Sequence, residues 1–117
     1  MELAPIREAK RRREQLLGQL SKVIPSLKER GVEKITVYGS ILNEDRFQWI
    51  SDIDLALSGK QFSFREQLQI ISLLSEIFGD DGFDAVFLTG EEFIPRQEIL
   101  DAISREGVDA EQFLKGS

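Results

Sequence analysis

Two aspartates stand two apart in Ser51-Asp52-Ile53-Asp54-Leu55. In an extended chain such residues project from one face, with Cα atoms about 6–7 Å apart. Asp is depleted in strands, so an aligned pair needs a reason. Two carboxylates aimed at one region repel and raise each other's pKa unless a cation lies between them. A hard divalent cation is the simplest remedy; a solvated pair on an edge strand is the plain alternative. A third acid, Asp84, stands alone in the apolar run Phe83-Asp84-Ala85-Val86-Phe87-Leu88, and a neighbouring strand could bring it beside the pair. Three carboxylates with no basic partner in sequence suit Mg2+ or Mn2+. Gly39-Ser40 closes the preceding apolar run. Glycine lets backbone approach a ligand closely, and a hydroxyl beside backbone N–H groups at the start of a turn suits phosphate. An ordinary strand-to-turn corner is the alternative there. Taken together, the corner and the acids suit metal-assisted phosphoryl transfer, in which cations orient the β- and γ-phosphates and stabilise an in-line displacement. No Walker loop is present.

Composition narrows the chemistry. The chain has 117 residues and neither cysteine nor histidine. That removes disulfides, cysteine nucleophiles, zinc fingers and Ser-His-Asp triads. Any metal must take oxygen ligands, and any proton must move through carboxylates, Lys, Tyr or water. Residues 1–30 carry eight Lys/Arg against four Asp/Glu, and residues 31–117 carry seven against seventeen. The charges of +4 and −10 give the net −6. This acidity argues against direct nucleic-acid binding, which needs a positive surface. The basic N-terminus lacks the apolar core of a secretory signal, and no apolar run approaches a membrane span. The absence of cysteine fits a reducing cytoplasm.

The chain reads as one domain, 1–117, without repeats or linkers. Residues 1–31 form a helical segment and 32–107 the catalytic core. Pro5 suits a first helical turn and Gly31 a helix end, while Pro25 should break or kink the helix near Ile24. Lys34–Tyr38 reads as a strand, Ile41–Trp49 as a short turn and loop, and Ser51–Leu57 as a second strand. Ser63-Phe64-Arg65-Glu66 is a capping box opening a helix whose apolar stripe is Leu68, Ile71, Leu74 and Phe78, stopped by Gly79. Phe83–Leu88 is a third strand. Pro95 to about Glu106 is a helix with Ile99 and Ile103 on one face and Gly107 as its cap, followed by a short turn over Asp109–Leu114. The order α-β-β-α-β-α predicts an α/β (α+β) fold, a small mixed sheet backed by helices.

Gly39-Ser40, ten intervening residues and Ser51-Asp52-Ile53-Asp54-Leu55 together resemble the signature of the DNA polymerase β-like nucleotidyltransferases. The short chain resembles the minimal members (MNT) that act as antitoxins beside HEPN toxins, and Ile103-Ser104-Arg105-Glu106-Gly107 matches their ending. The resemblance covers about residues 32–107 and implies the polymerase β-like palm fold. It implies ATP as substrate, with Gly39 and Ser40 on its terminal phosphates and Ser51 and Arg46 also among the nucleotide-binding residues. Asp52 and Asp54 would bind two Mg2+ or Mn2+ ions, and Asp84 would bind the catalytic metal and help activate the attacking hydroxyl. The acceptor implied is a tyrosine hydroxyl on a HEPN-family toxin, which receives AMP. One departure stands out. Many members carry a basic residue and a further glycine after Gly-Ser, whereas this chain has Ile41-Leu42-Asn43-Glu44-Asp45.

The first expectation is therefore a metal-dependent protein adenylyltransferase acting as an antitoxin. The alternative, motivated by the acidic loop, is a module that neutralises its toxin by binding alone. Transfer to RNA or to a small molecule such as an aminoglycoside is a third, weaker option. The basic turn Arg7, Lys10, Arg11, Arg12 and Arg13 reads as a solvated face or a docking surface for an acidic partner. Phe47 and Trp49 could cover a nucleotide base or pack in the core; Tyr38, Phe62, Phe64, Phe78 and Phe93 read as core.

Overall fold

A computed structural model describes residues 3–91 and 94–116; the expectation for Phe93 lies outside them. The chain opens with helix α1, Ala4–Glu29, then strand β1, Val32–Tyr38, and a 3-10 turn, Gly39–Leu42. Strand β2, Ile53–Gly59, helix α2, Phe64–Phe78, and strand β3, Phe83–Phe87, follow. Helix α3, Gln97–Glu106, strand β4, Val108–Asp109, and helix α4, Ala110–Gly116, complete it. The sheet order is β3-β2-β1-β4, with β1 antiparallel to β2 and β4 and β2 parallel to β3. This is the small mixed sheet backed by helices that the sequence predicts.

Alternation along the central strands divides the sheet into two faces. Ile35 and Val37 of β1 lie opposite Leu57 and Leu55 of β2, and all four are buried. They pack with Leu16, Leu20, Val23 and Leu27 of α1 and Ile70, Leu74 and Phe78 of α2 in one core. The other face carries Thr36, Tyr38, Ala56, Asp54 and Asp84. Helix α3 ends over this second face, where a Cβ on Gly107 would come within 2.7 Å of the Thr36 methyl. Gly107 caps α3 with φ −64°, so close packing rather than left-handed backbone explains the glycine.

Several local expectations change. Pro25 does not end α1. It and Ser21, whose i+4 N–H donor it removes, are exposed, while Leu20, Val23, Ile24 and Leu27 are buried. Burying those four offsets a penalty of about 3 kcal/mol for an interior proline. Strand β2 starts at Ile53, not Ser51, and runs on to Gly59. The buried stripe of α2 is Gln67, Ile70, Leu74 and Phe78; Leu68 is exposed and Ile71 only half-buried. The buried Gln67 amide donates to the Phe62 carbonyl at 3.2 Å, while its Oε1 has no hydrogen-bond partner among the described residues. Phe64, expected in the core, is exposed at the first position of α2. Helix α3 starts at Gln97 rather than Pro95. The turn expected over Asp109–Leu114 divides between β4, which extends the sheet beside β1, and α4.

The capping box forms as expected. The Ser63 hydroxyl accepts from the Glu66 N–H at 3.2 Å, and the Glu66 carboxylate accepts from the Ser63 N–H at 3.0 Å. Ser63→Ala should cost about 1 kcal/mol. In a domain of this size that lowers the melting temperature by roughly 4 °C, measurable by calorimetry.

Candidate active site

The second face of the sheet gathers the predicted acids. Parallel pairing of β2 with β3 sets Asp54 directly beside Asp84, and antiparallel pairing of β1 with β2 sets Tyr38 beside Asp54. Asp52 precedes β2 by one residue and shares the Asp54 side by alternation. Ile53 and Leu55 point the other way and are fully buried, which anchors the acid-bearing segment against the core. Gly39 ends β1 with φ +81°, and a Cβ there would collide with the Asp54 carboxylate. The glycine is needed twice over, for left-handed backbone and for room beside an acid.

The electrostatics follow from this crowding. Burial, reinforced by the charges of Asp52, Asp84 and Glu106, pushes Asp54 from 3.8 up to about 7. Asp52 is also raised, mainly by burial and then by Asp84, although its own backbone N–H and Arg12 oppose the shift. Tyr38 is raised by burial and by all three aspartates, so its phenol stays protonated and can only donate or accept a hydrogen bond. Among the described residues no three acidic side chains close into a ready-made cation cage. Oxygen-only donors on one face, strained by each other's charge, fit a hard divalent cation. Asp52, Asp54 and Asp84 are the residues that could hold it.

The pH consequence has a definite sign. Between pH 3.8 and about 7 the folded chain keeps a proton on Asp54 that the unfolded chain has released. Stability from this group is therefore greatest at low pH and is lost as pH rises toward 7. Without metal, Asp54→Asn should melt higher than the wild type at pH 8 and nearly equally at pH 4. Adding Mn2+ at pH 8 should raise the wild-type melting temperature and leave the variant's unchanged.

The loop between the motif segments is held from two sides. Arg12 Nε donates to the Ser51 carbonyl, and Arg13 Nε donates to the Ile41 carbonyl at 2.9 Å. Two of the five residues of the expected solvated or docking face thus form a clamp that fixes the entry to β2 and the turn after Gly39. Arg11 remains on the surface with Glu8. Ser51, expected among nucleotide-binding residues, has its hydroxyl engaged by the Gln48 N–H at 3.1 Å. Phe47 is buried in the core, whereas Trp49 is 58% exposed. Trp49 helps line a groove of about 520 Å³ with Ile6, Lys10 and Asp45.

Around Gly39 the arrangement is less open than the sequence suggested. The Gly39 N–H donates to Glu106 Oε1 at 3.1 Å, and Arg46 Nη1 lies 3.4 Å from Glu106 Oε2. Among the described residues the Ser40 hydroxyl has no hydrogen-bond partner. In the sequence Glu106 reads as a helix end within the family-like run Ile103-Ser104-Arg105-Glu106-Gly107. Its 67-residue separation from Gly39 left no local signal of the contact.

Comparison with known proteins bears on this face. No curated protein matches the chain. A chain of a solved structure of a tri-AMPylated Shewanella oneidensis HEPN toxin in complex with an MNT antitoxin superposes with a TM-score of 0.55 at 17% identity. The match covers 84% of this chain and 79% of that one, and at such identity it establishes a shared fold. The family described as polymerase beta, nucleotidyltransferase, matches residues 21–105, a span holding the Gly-Ser corner, all three aspartates and most of the sheet, and the chain belongs to that family.

Proposed function

We propose that this chain is a metal-dependent adenylyltransferase that moves AMP from ATP to a hydroxyl on a partner protein. The observation carrying this reading is the registration of Asp54 with Asp84, with Asp52 on the same side, next to a Gly39 whose missing Cβ leaves room for Asp54. A bound pair of divalent cations would neutralise the phosphates and stabilise charge on the attacking and leaving oxygens. Gly39 and Ser40 bind the terminal phosphates through a backbone N–H and a hydroxyl. Asp84, exposed on β3, lies where an incoming hydroxyl can reach it. The hydroxyl oxygen bonds to the α-phosphorus, the bond to the β-phosphate oxygen breaks, and pyrophosphate leaves. The hydroxyl proton passes to the Asp84 carboxylate. Tyr38, held protonated, steadies the acids as a neutral neighbour.

The proposed partner is a HEPN-family toxin, and the biological role is that of an antitoxin silencing it. The superposed structure supports this, since it contains an AMPylated HEPN toxin with an MNT antitoxin. The test is incubation of the chain with a HEPN toxin, Mg2+ and α-labelled ATP. Label on a toxin tyrosine supports the reading, and its absence overturns it. The acidic Glu44 and Asp45 and the engaged Gly39 N–H favour one rival, neutralisation by binding alone. That rival predicts toxin inhibition without ATP.

A further inference from the structure

The Gly39 N–H is one of the two groups assigned above to the terminal phosphates, and a carboxylate already sits on it. One oxygen of Glu106 accepts from Gly39, and the other faces the Arg46 guanidinium. The position is a poor one for an acid. Glu106 is the last residue of α3, where the helix dipole disfavours negative charge. It also lies close enough to Asp54 to raise that group's pKa. Two unfavourable fields thus act on this carboxylate, and the Gly39 N–H and Arg46 offset them. Helix α3 is itself lightly held: Ile99, Leu100, Ala102 and Ile103 are half-buried, and none of its residues is fully buried.

We propose that Glu106 is a built-in competitor for the nucleotide's terminal phosphates, occupying the Gly39 N–H and Arg46 until a triphosphate displaces it. The inference rests on the phosphate-binding role given to Gly39 above. When Glu106 swings away, Arg46 is released toward the incoming phosphates and supplies the positive charge that the acidic loop after Ser40 lacks. One acid therefore accounts for two oddities, the engaged corner and the absence of a basic residue beside it in sequence.

The test is titration of the full chain with ATP and Mn2+ by calorimetry, comparing wild type with Glu106→Gln and Glu106→Ala. Glu106→Gln keeps the shape and removes the charge, so it also guards against misfolding in the alanine variant. Both variants should bind ATP about tenfold more tightly, the scale of one charge-assisted contact no longer displaced. Inorganic tripolyphosphate should show the same gain and adenosine none, because the competition is for phosphate alone. Arg46→Ala in the Glu106→Gln background should reverse the gain. Equal or weaker ATP binding by both Glu106 variants, with wild-type binding intact, overturns this inference and leaves the proposed activity standing. Absence of ATP binding in the wild type and in every variant overturns both.

Discussion

Replacing Asp52 and Asp54 together by Asn should lower AMP transfer by at least about 10³-fold while leaving a folded, more stable chain. The loss follows from removing two of the three oxygen donors that would hold the cations. The stability gain follows from removing charges that the fold raises in pKa by burial and mutual repulsion. These opposite signs make the double variant informative. A purely structural role for the pair predicts loss of stability and activity together. Label transfer compared beside melting curves checks both signs, and transfer equal to wild type would remove the carboxylates from the chemistry. Toxin that stays inhibited by the double variant would favour neutralisation by binding.

Gly39→Ala is expected to damage the site less severely and by a different route. The backbone there is left-handed, which costs a non-glycine residue about 1–3 kcal/mol. The new methyl would also displace the Asp54 carboxylate. Misplacement of a reacting group by about 1 Å can cost about 10²-fold in rate. Transfer should therefore fall by roughly that factor at saturating ATP, with a lowered melting temperature. Steady-state label transfer at several ATP concentrations checks it, and a change confined to KM would show that only nucleotide binding had suffered.

The parts of the site legible in sequence are those encoded within a few residues. Asp52 and Asp54 declare themselves by alternating with Ile53 and Leu55, whose burial fixes which way the acids point. Gly39 declares itself by standing with Ser40 at the end of an apolar run, and its positive φ explains the glycine. Ser63 and Glu66 mark the start of α2 by a reciprocal pair of hydrogen bonds. What stayed hidden is set by contacts distant in sequence. Arg12 and Arg13 look like solvated charge until the loops near residues 41 and 51 fold back to meet them. Glu106 looks like one more helix-end acid until α3 is laid over β1. Strand β4 has two residues, too few to show any alternation. Gln67 lies in phase with Ile70, Leu74 and Phe78 on the buried side of α2, where its amide N–H donates to the Phe62 carbonyl and its Oε1 has no hydrogen-bond partner among the described residues, an arrangement hydrophobic periodicity does not anticipate.

The same distinction explains Pro25. A local rule assigns it a break, but Pro25 and Ser21, whose i+4 N–H donor it removes, fall on the exposed side of a helix whose other side is buried. Packing outweighs the local penalty, and α1 stays long enough for Arg12 and Arg13 to reach the loops that carry the site.

Anomalous diffraction from crystals grown with Mn2+ and a non-hydrolysable ATP analogue tests the central claim most directly. Manganese is expected within about 2.0–2.3 Å of oxygens from Asp52 and Asp54, with the analogue's terminal phosphates at Gly39 and Ser40 and Glu106 turned away from the Gly39 N–H. Manganese bound elsewhere, or a triphosphate seated away from that corner with Glu106 still in place, would contradict it.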